Sequence, residues 1–355
     1  MEEIKLSEFY GDEKKRSLTI DKLKFWLMPF VFFTLLGFPT RFGSYVSTLS
    51  NFAAPAFFIL CGFLNLAPDK DVRLKRIKKA LKRSFMIFII MFLSYIAINL
   101  AYLAFCDALN SSLAAEIIRK KIAFNFLVLN IWMPIPMGSS IWFIQSLFYA
   151  YVFFLIAEKL NLSKFYIPVL VLLICVMLAT GEFAALFKFP HFGYNYIPAG
   201  AVTRAIPYML IGMLLRKHID KIGKAPRFVY LILFVLGLAL AFAEFEILSR
   251  LGLLVYQGHA IGFGIAAFSI CCFALVNPSV SKLGFYANHA RNHTIRLYIL
   301  CQPVALMLYM IGPFLYPRFV LYYYQYSGII SFIISFIISL VFGTMKQLIL
   351  VKEKR

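Results

Sequence analysis

Apolar residues in this chain come in long runs, separated by short charged or Gly- and Pro-marked stretches. Runs of this length are what a helix needs to cross a bilayer, because each residue adds about 1.5 Å of rise. Ten such runs can be marked, at about 25–38, 48–67, 85–109, 141–160, 166–186, 202–215, 228–248, 257–276, 295–316 and 328–350. The stretch 110–138 is partly amphipathic and ends in the breaker-rich MPIPMGSS, so it reads as an interfacial connection. The pattern therefore predicts an all-α integral membrane protein of about ten transmembrane helices. It comprises a polar N-terminal tail over 1–24, one transmembrane domain over 25–351 and a charged C-terminal end over 352–355.

Charge sets the direction in which these helices cross. The run 51–83, NFAAPAFFILCGFLNLAPDKDVRLKRIKKALKR, passes abruptly from an apolar span into dense cations, which read as a loop held in the cytoplasm. With the N-terminus inside and the spans alternating, most of the 36 Lys and Arg fall on the inner side. Both termini are therefore expected in the cytoplasm. An odd number of spans would place one basic end outside.

Composition agrees: 62% of the residues are hydrophobic and only 15% charged, with mean hydropathy +0.81. Soluble domains average about 25% charged. The formal net charge of +20 sits in membrane-flanking segments, so it points to topology and not to nucleic acid. The six cysteines lie mostly inside apolar runs without C-x-x-C spacing. They read as small buried hydrophobes, and neither a metal site nor a disulfide framework is expected.

Polar groups inside or beside the spans are costly to hold there and are the first candidates for chemistry. Near the expected outer ends these are Glu182, His191, Arg204, Glu244, Glu246, Arg250 and His259. His259, in GHAIGFG, is the group whose ordinary pKa suits a general base. Its plain alternative is a hydrogen bond to a carbonyl across a helix contact. In the basic run, Arg76, Lys79 and Arg83 recur at helical spacings of three and four and share a face. They suit either anionic phosphates or plain topogenic charge.

Four stretches together resemble the acyltransferase 3 family of membrane acyltransferases, which includes bacterial O-acetyltransferases of cell-surface polysaccharides. APAFFILCGFL at 54–64 is similar to the family's VPxFFxxSGF, with Cys61 where Ser is usual. KDVRLKRIKKALKRSF follows it like the family's basic loop, and SIWFIQSLFYAYVFFL from Ser140 is similar to LWFLxALLxxY. IPYMLIGMLLRK at 206–217 and TIRLYILCQP at 294–303 look like FxxGxLxxK and SxxIYLxHxP. The resemblance implies an inner-membrane, multi-pass enzyme that moves an acyl group, probably acetyl, from acyl-CoA to a hydroxyl of an envelope or exported polysaccharide. It implies Lys75, Arg76, Lys79 and Arg83 at the CoA phosphates, Lys24 at the inner mouth of the path, and Trp142 and Gln145 along it. The implied partners are the bilayer and a saccharide or lipid-linked glycan acceptor, with the oligomeric state left open.

The chain also departs from the pattern. The family's first helix carries a basic residue and, eleven positions on, a His thought to be catalytic. Here Lys24 and Leu35 hold those places, with Thr34 adjacent. Cys301, followed by Gln302, replaces the ninth-helix His. Acyl transfer to a hydroxyl needs a base for the acceptor proton. His259, Glu182 and Arg204 are therefore the candidates for a relocated catalytic centre. The alternative is a catalytically inactive relative that serves as a translocator or assembly partner for lipid-linked glycans.

Overall fold

A computed structural model describes residues 6–11, 17–37, 41–105, 141–180, 200–252, 260–278, 285–315 and 318–352. Among them the elements are helical: α1 (Leu6–Gly11), α2 (Leu18–Leu36), α3 (Arg41–Leu49), α4 (Ala53–Asn65), α5 (Lys70–Phe105), α6 (Ile141–Lys159), α7 (Tyr166–Thr180), α8 (Ile206–Lys217), α9 (Ile219–Ile222), α10 (Arg227–Arg250), α11 (Ile261–Leu275), α12 (Phe285–Leu315) and α13 (Phe319–Lys352). The described parts of the ten apolar runs lie on helices. Five described helical stretches are long and apolar enough to cross a membrane: Gly43–Asn65, Ile141–Lys159, Leu162–Ala179, Arg227–Arg250 and Tyr326–Gly343. The 110–138 connection, Glu182, His191 and His259 lie outside the described residues.

One expectation is corrected. The basic run is not a loop but the first half of a single 36-residue helix, α5. Asp69 starts it by accepting from the backbone N–H of Val72 at 2.8 Å. Hydropathy breaks where the cations give way to Phe85, but Lys, Arg, Ala and Leu are all good helix formers and the backbone continues.

The helices gather into two units. The first comprises Met1–Arg16 and Ala54–Asn277. Within it α6 is central: most of its residues are buried, whereas most of α7 and α10 is not. On α10 the exposed side chains include Phe228, Leu231, Ile232, Val235 and Leu236, an apolar coat suited to lipid. On α5 the buried positions Arg73, Ile77, Ser84, Phe88 and Met91 form one seam at spacings of three, four and seven. Helices α4 and α8 cross backbone to backbone. A Cβ at Gly62 would stand 2.0 Å from the Met209 carbonyl oxygen, and one at Gly212 would stand 2.1 Å from that of Ile59. The glycine in FFILCGF and the one in IPYMLIGM are thus the two halves of one contact. The tail also docks: α1 buries Phe9 and Tyr10, and the Tyr10 hydroxyl donates to the Leu275 carbonyl at 2.9 Å.

The second unit comprises Ser17–Ala53 and Pro278–Arg355, built on α2, α12 and α13. Helix α13 kinks at Tyr326 (φ −124°, ψ 19°) and then buries Ser327, Ser331, Ser335 and Ser339. That four-residue spacing puts a smooth stripe on one face and lets neighbours approach. Phe32 meets Phe332 edge to face at 5.3 Å, and Ser327 donates to the Leu36 and Gly37 carbonyls at the end of α2.

Candidate functional site

A widened turn, Ala201–Ala205, leads into α8 with π-type spacing. Pro207, near the start of α8, explains it: proline has no N–H to donate, and its ring crowds the carbonyl four residues back, that of Thr203. The turn sets Arg204 inward, 3% exposed, with its guanidinium carbon 5.3 Å from the centre of the Trp142 ring. A desolvated stack of this kind is worth about 2 kcal/mol. Trp142 is itself held by Phe58 and Phe143 at 6.2 and 6.0 Å. One turn further along α6 is Gln145, 2% exposed, and its Oε1 has no hydrogen-bond partner among the described residues. Tyr149 lies beside it, and Tyr208 is buried one turn after Arg204. Leaving a buried amide oxygen unsatisfied costs about 1–3 kcal/mol. The cluster thus combines a buried cation, a flat aromatic face and a vacant acceptor. Such a set can hold a hydroxyl and stabilise developing negative charge.

The other end of α6 carries a second polar cluster. Glu158 is 1% exposed and forms a 2.7 Å ion pair with Arg73 Nη2, while its Oε1 accepts from the Tyr166 hydroxyl at 2.6 Å. Arg73 Nη1 donates to the Ala67 and Pro68 carbonyls at 2.7 and 2.8 Å, which leaves Nε buried without a partner among the described residues. Arg76 donates to Leu64 at 3.0 Å. Arg216 donates to Phe63 at 2.9 Å and to Tyr10 at 2.6 Å. Three arginines therefore close the carbonyl end of α4, where the helix dipole is negative. Burial, and after it the nearby Arg76 charge, lower the Arg216 pKa to about 10, so it remains a cation at neutral pH.

The other sequence candidates fall as follows. Lys75, Lys79 and Arg83 are exposed on α5 together with Lys78 and Lys82, an outward basic stripe, whereas Arg76 is half-buried at the α4 carbonyls. Lys24 is half-buried on α2 in the second unit, and Leu35 lies three turns along the same helix. The Thr34 hydroxyl back-bonds to the Phe30 carbonyl at 2.9 Å, inside its own helix. Cys301 and Gln302 are both buried on α12. Glu244 accepts from the Gly262 N–H at 3.0 Å and so caps α11, while Glu246 pairs with Arg250 at 3.7 Å on an exposed surface. Trp142 and Arg204 are brought together, with Gln145 one turn away. Sequence reasoning missed Arg73, Glu158, Tyr166 and Arg216. The available signal was Glu158 itself, an acid inside an otherwise apolar span.

Helices coated with apolar side chains around a buried arginine and an unsatisfied amide define a membrane-embedded protein with a polar site inside its bundle. The family model for the acyltransferase domain, of the acyltransferase 3 type, matches residues 19–345. The match covers most of the chain, and the protein belongs to this family of membrane acyltransferases. No curated protein and no solved structure matches it significantly.

Proposed function

We propose that the protein moves an acyl group, most simply acetyl, from a cytoplasmic acyl-CoA to a hydroxyl of an envelope or exported saccharide. Family membership supports the acyl transfer. The observation that carries the site assignment is the buried Arg204, Trp142 and Gln145 cluster with its vacant Oε1. In this reading Gln145 Oε1 accepts from the acceptor hydroxyl and fixes its direction. His259 removes the hydroxyl proton as the oxygen attacks the thioester carbonyl. Arg204 faces the oxyanion that forms. The C–S bond then breaks, and the proton passes from His259 to the departing thiolate. The cations of the α5 stripe, Lys75, Lys79 and Arg83, with Arg76 beside them, offer donors to the CoA phosphates. Lys24 is assigned the inner mouth of the path on the family resemblance alone.

A second reading has its own observation. Leu35 occupies the family's His position and Cys301 its second one, which suits a relative kept to translocate or assemble lipid-linked glycans. Turnover separates the two. Purified protein in nanodiscs is given radiolabelled acetyl-CoA with and without an envelope-glycan acceptor. Acceptor-dependent CoA release that is lost in Arg204→Gln and in His259→Ala is the expected result. Acetyl-CoA that binds without turning over supports the second reading instead.

A further inference from the structure

Within the second unit a groove of about 390 Å³ is lined by Arg296, Ile299 and Leu300 of α12 and by Ser339 and Phe342 of α13. Arg296 Nη1 is buried there and has no hydrogen-bond partner among the described residues. One turn before it, His293 is buried and joined through Nδ1 to the Ser339 hydroxyl at 2.6 Å. Gly343 leaves space for both groups: a Cβ at this position would stand 2.8 Å from the His293 ring and 3.5 Å from Arg296 Nη1. The remaining wall is apolar, and Phe342 is 60% exposed. On the same helix Ile333, Ile337 and Val341 are exposed as well, so this side of α13 presents an apolar surface.

We infer that this groove holds the phosphodiester of an anionic phospholipid, with its acyl chains along Ile299, Leu300 and Phe342. A desolvated guanidinium nitrogen without an acceptor is costly, and a phosphate oxygen is the acceptor that matches both its charge and its geometry. A free, water-borne phosphate would gain nothing from the aliphatic and aromatic wall. A lipid gains from both halves of the groove. The charge pattern places Arg296 at the cytoplasmic leaflet, where anionic lipids are attracted to basic sites between helices. The inference is independent of the acyl-transfer reading, since no proposed catalytic residue lines the groove.

The test uses full-length protein in mild detergent, equilibrated with phosphatidylglycerol or phosphatidylcholine, with retained lipid counted by native mass spectrometry. Wild type is expected to keep phosphatidylglycerol in preference to phosphatidylcholine. Arg296→Gln should lower its retention at least fivefold. Leu300→Trp, which fills the groove and leaves the guanidinium in place, should lower it as well. If Arg296→Gln is not recovered folded by gel filtration, Leu300→Trp and Phe342→Ala decide the matter. Equal retention by the folded variants, equal retention of phosphatidylcholine, or displacement by millimolar inorganic phosphate would each overturn the inference.

Discussion

The two ends of α6 both meet arginine, one buried at the Trp142 end and three buried or half-buried at the Glu158 end, and they are built to opposite purposes. At the Glu158 end the arginines close on partners: a carboxylate, four carbonyls around the α4 terminus and the Tyr10 carbonyl. At the Trp142 end Arg204 lies across a ring, and the neighbouring amide oxygen of Gln145 has nothing to accept from among the described residues. The separation is about 20 Å for the thirteen residues from Gln145 to Glu158. Helix α8 repeats the arrangement, with Arg204 just before its start and Arg216 near its finish. A closed cluster stabilises and fixes helix ends, whereas an incomplete one is available for a ligand. The difference teaches that burial and charge alone do not mark a site: Arg73 keeps one buried nitrogen without a partner among the described residues, but its other two are held by a carboxylate and two carbonyls, whereas the Gln145 oxygen accepts from none of them.

The comparison breaks most visibly at its closed end. Glu158→Ala leaves Arg73 buried without its counter-ion, and breaking such a pair costs about 3–5 kcal/mol. A large fall in thermal midpoint, or no folded protein at all by fluorescence-detected gel filtration, is expected. At the open end Arg204→Gln should lower turnover by about 10²–10³-fold, as loss of an oxyanion donor does. Its thermal midpoint should fall much less than that of Glu158→Ala. A stability loss as large as that of Glu158→Ala would make Arg204 structural.

Gly212→Ala tests both ends at once, because its methyl would press on the Ile59 carbonyl and shift α8 as a whole. Overpacking of this kind costs about 1–3 kcal/mol, and activity should fall together with stability. Gln145→Leu sharpens the contrast further. Removing an amide whose buried oxygen has no partner among the described residues, and whose other contact is a hydrogen bond with Tyr149, should lower the thermal midpoint little, while KM for the acceptor rises. The smallest effect belongs to the exposed stripe. Lys79→Gln should change stability by no more than about 0.5 kcal/mol, and any change should be in the apparent acyl-CoA requirement.

Much of this was legible beforehand. Hydropathy located the helices, because a bilayer-length apolar run leaves few other choices. The motif around Trp142 and the lone Arg204 marked two sides of the open cluster, since both stand out against an aliphatic background. The closed cluster was not legible. Eight cations lie between Lys70 and Arg83, and periodicity cannot say that Arg73 is the one that turns toward Glu158. Nor does sequence show that Arg76 reaches back to Leu64, because the short connection at 66–69 between α4 and α5 decides that. The basic run was misread as a loop for a related reason: hydropathy detects the solvent boundary, and the backbone hydrogen bonds of α5 pass straight through it.

The π-type turn at Ala201–Ala205 has one more consequence. In an α-helix each residue advances about 100° around the axis, so one residue more or less in this turn rotates everything before it by that amount relative to α8. Deleting Ala205, with every side chain of the cluster retained, would swing Arg204 off the indole. The open cluster is thus stored partly as a count of residues in the backbone. A homologue one residue shorter at this point would have to build its site from a different side chain.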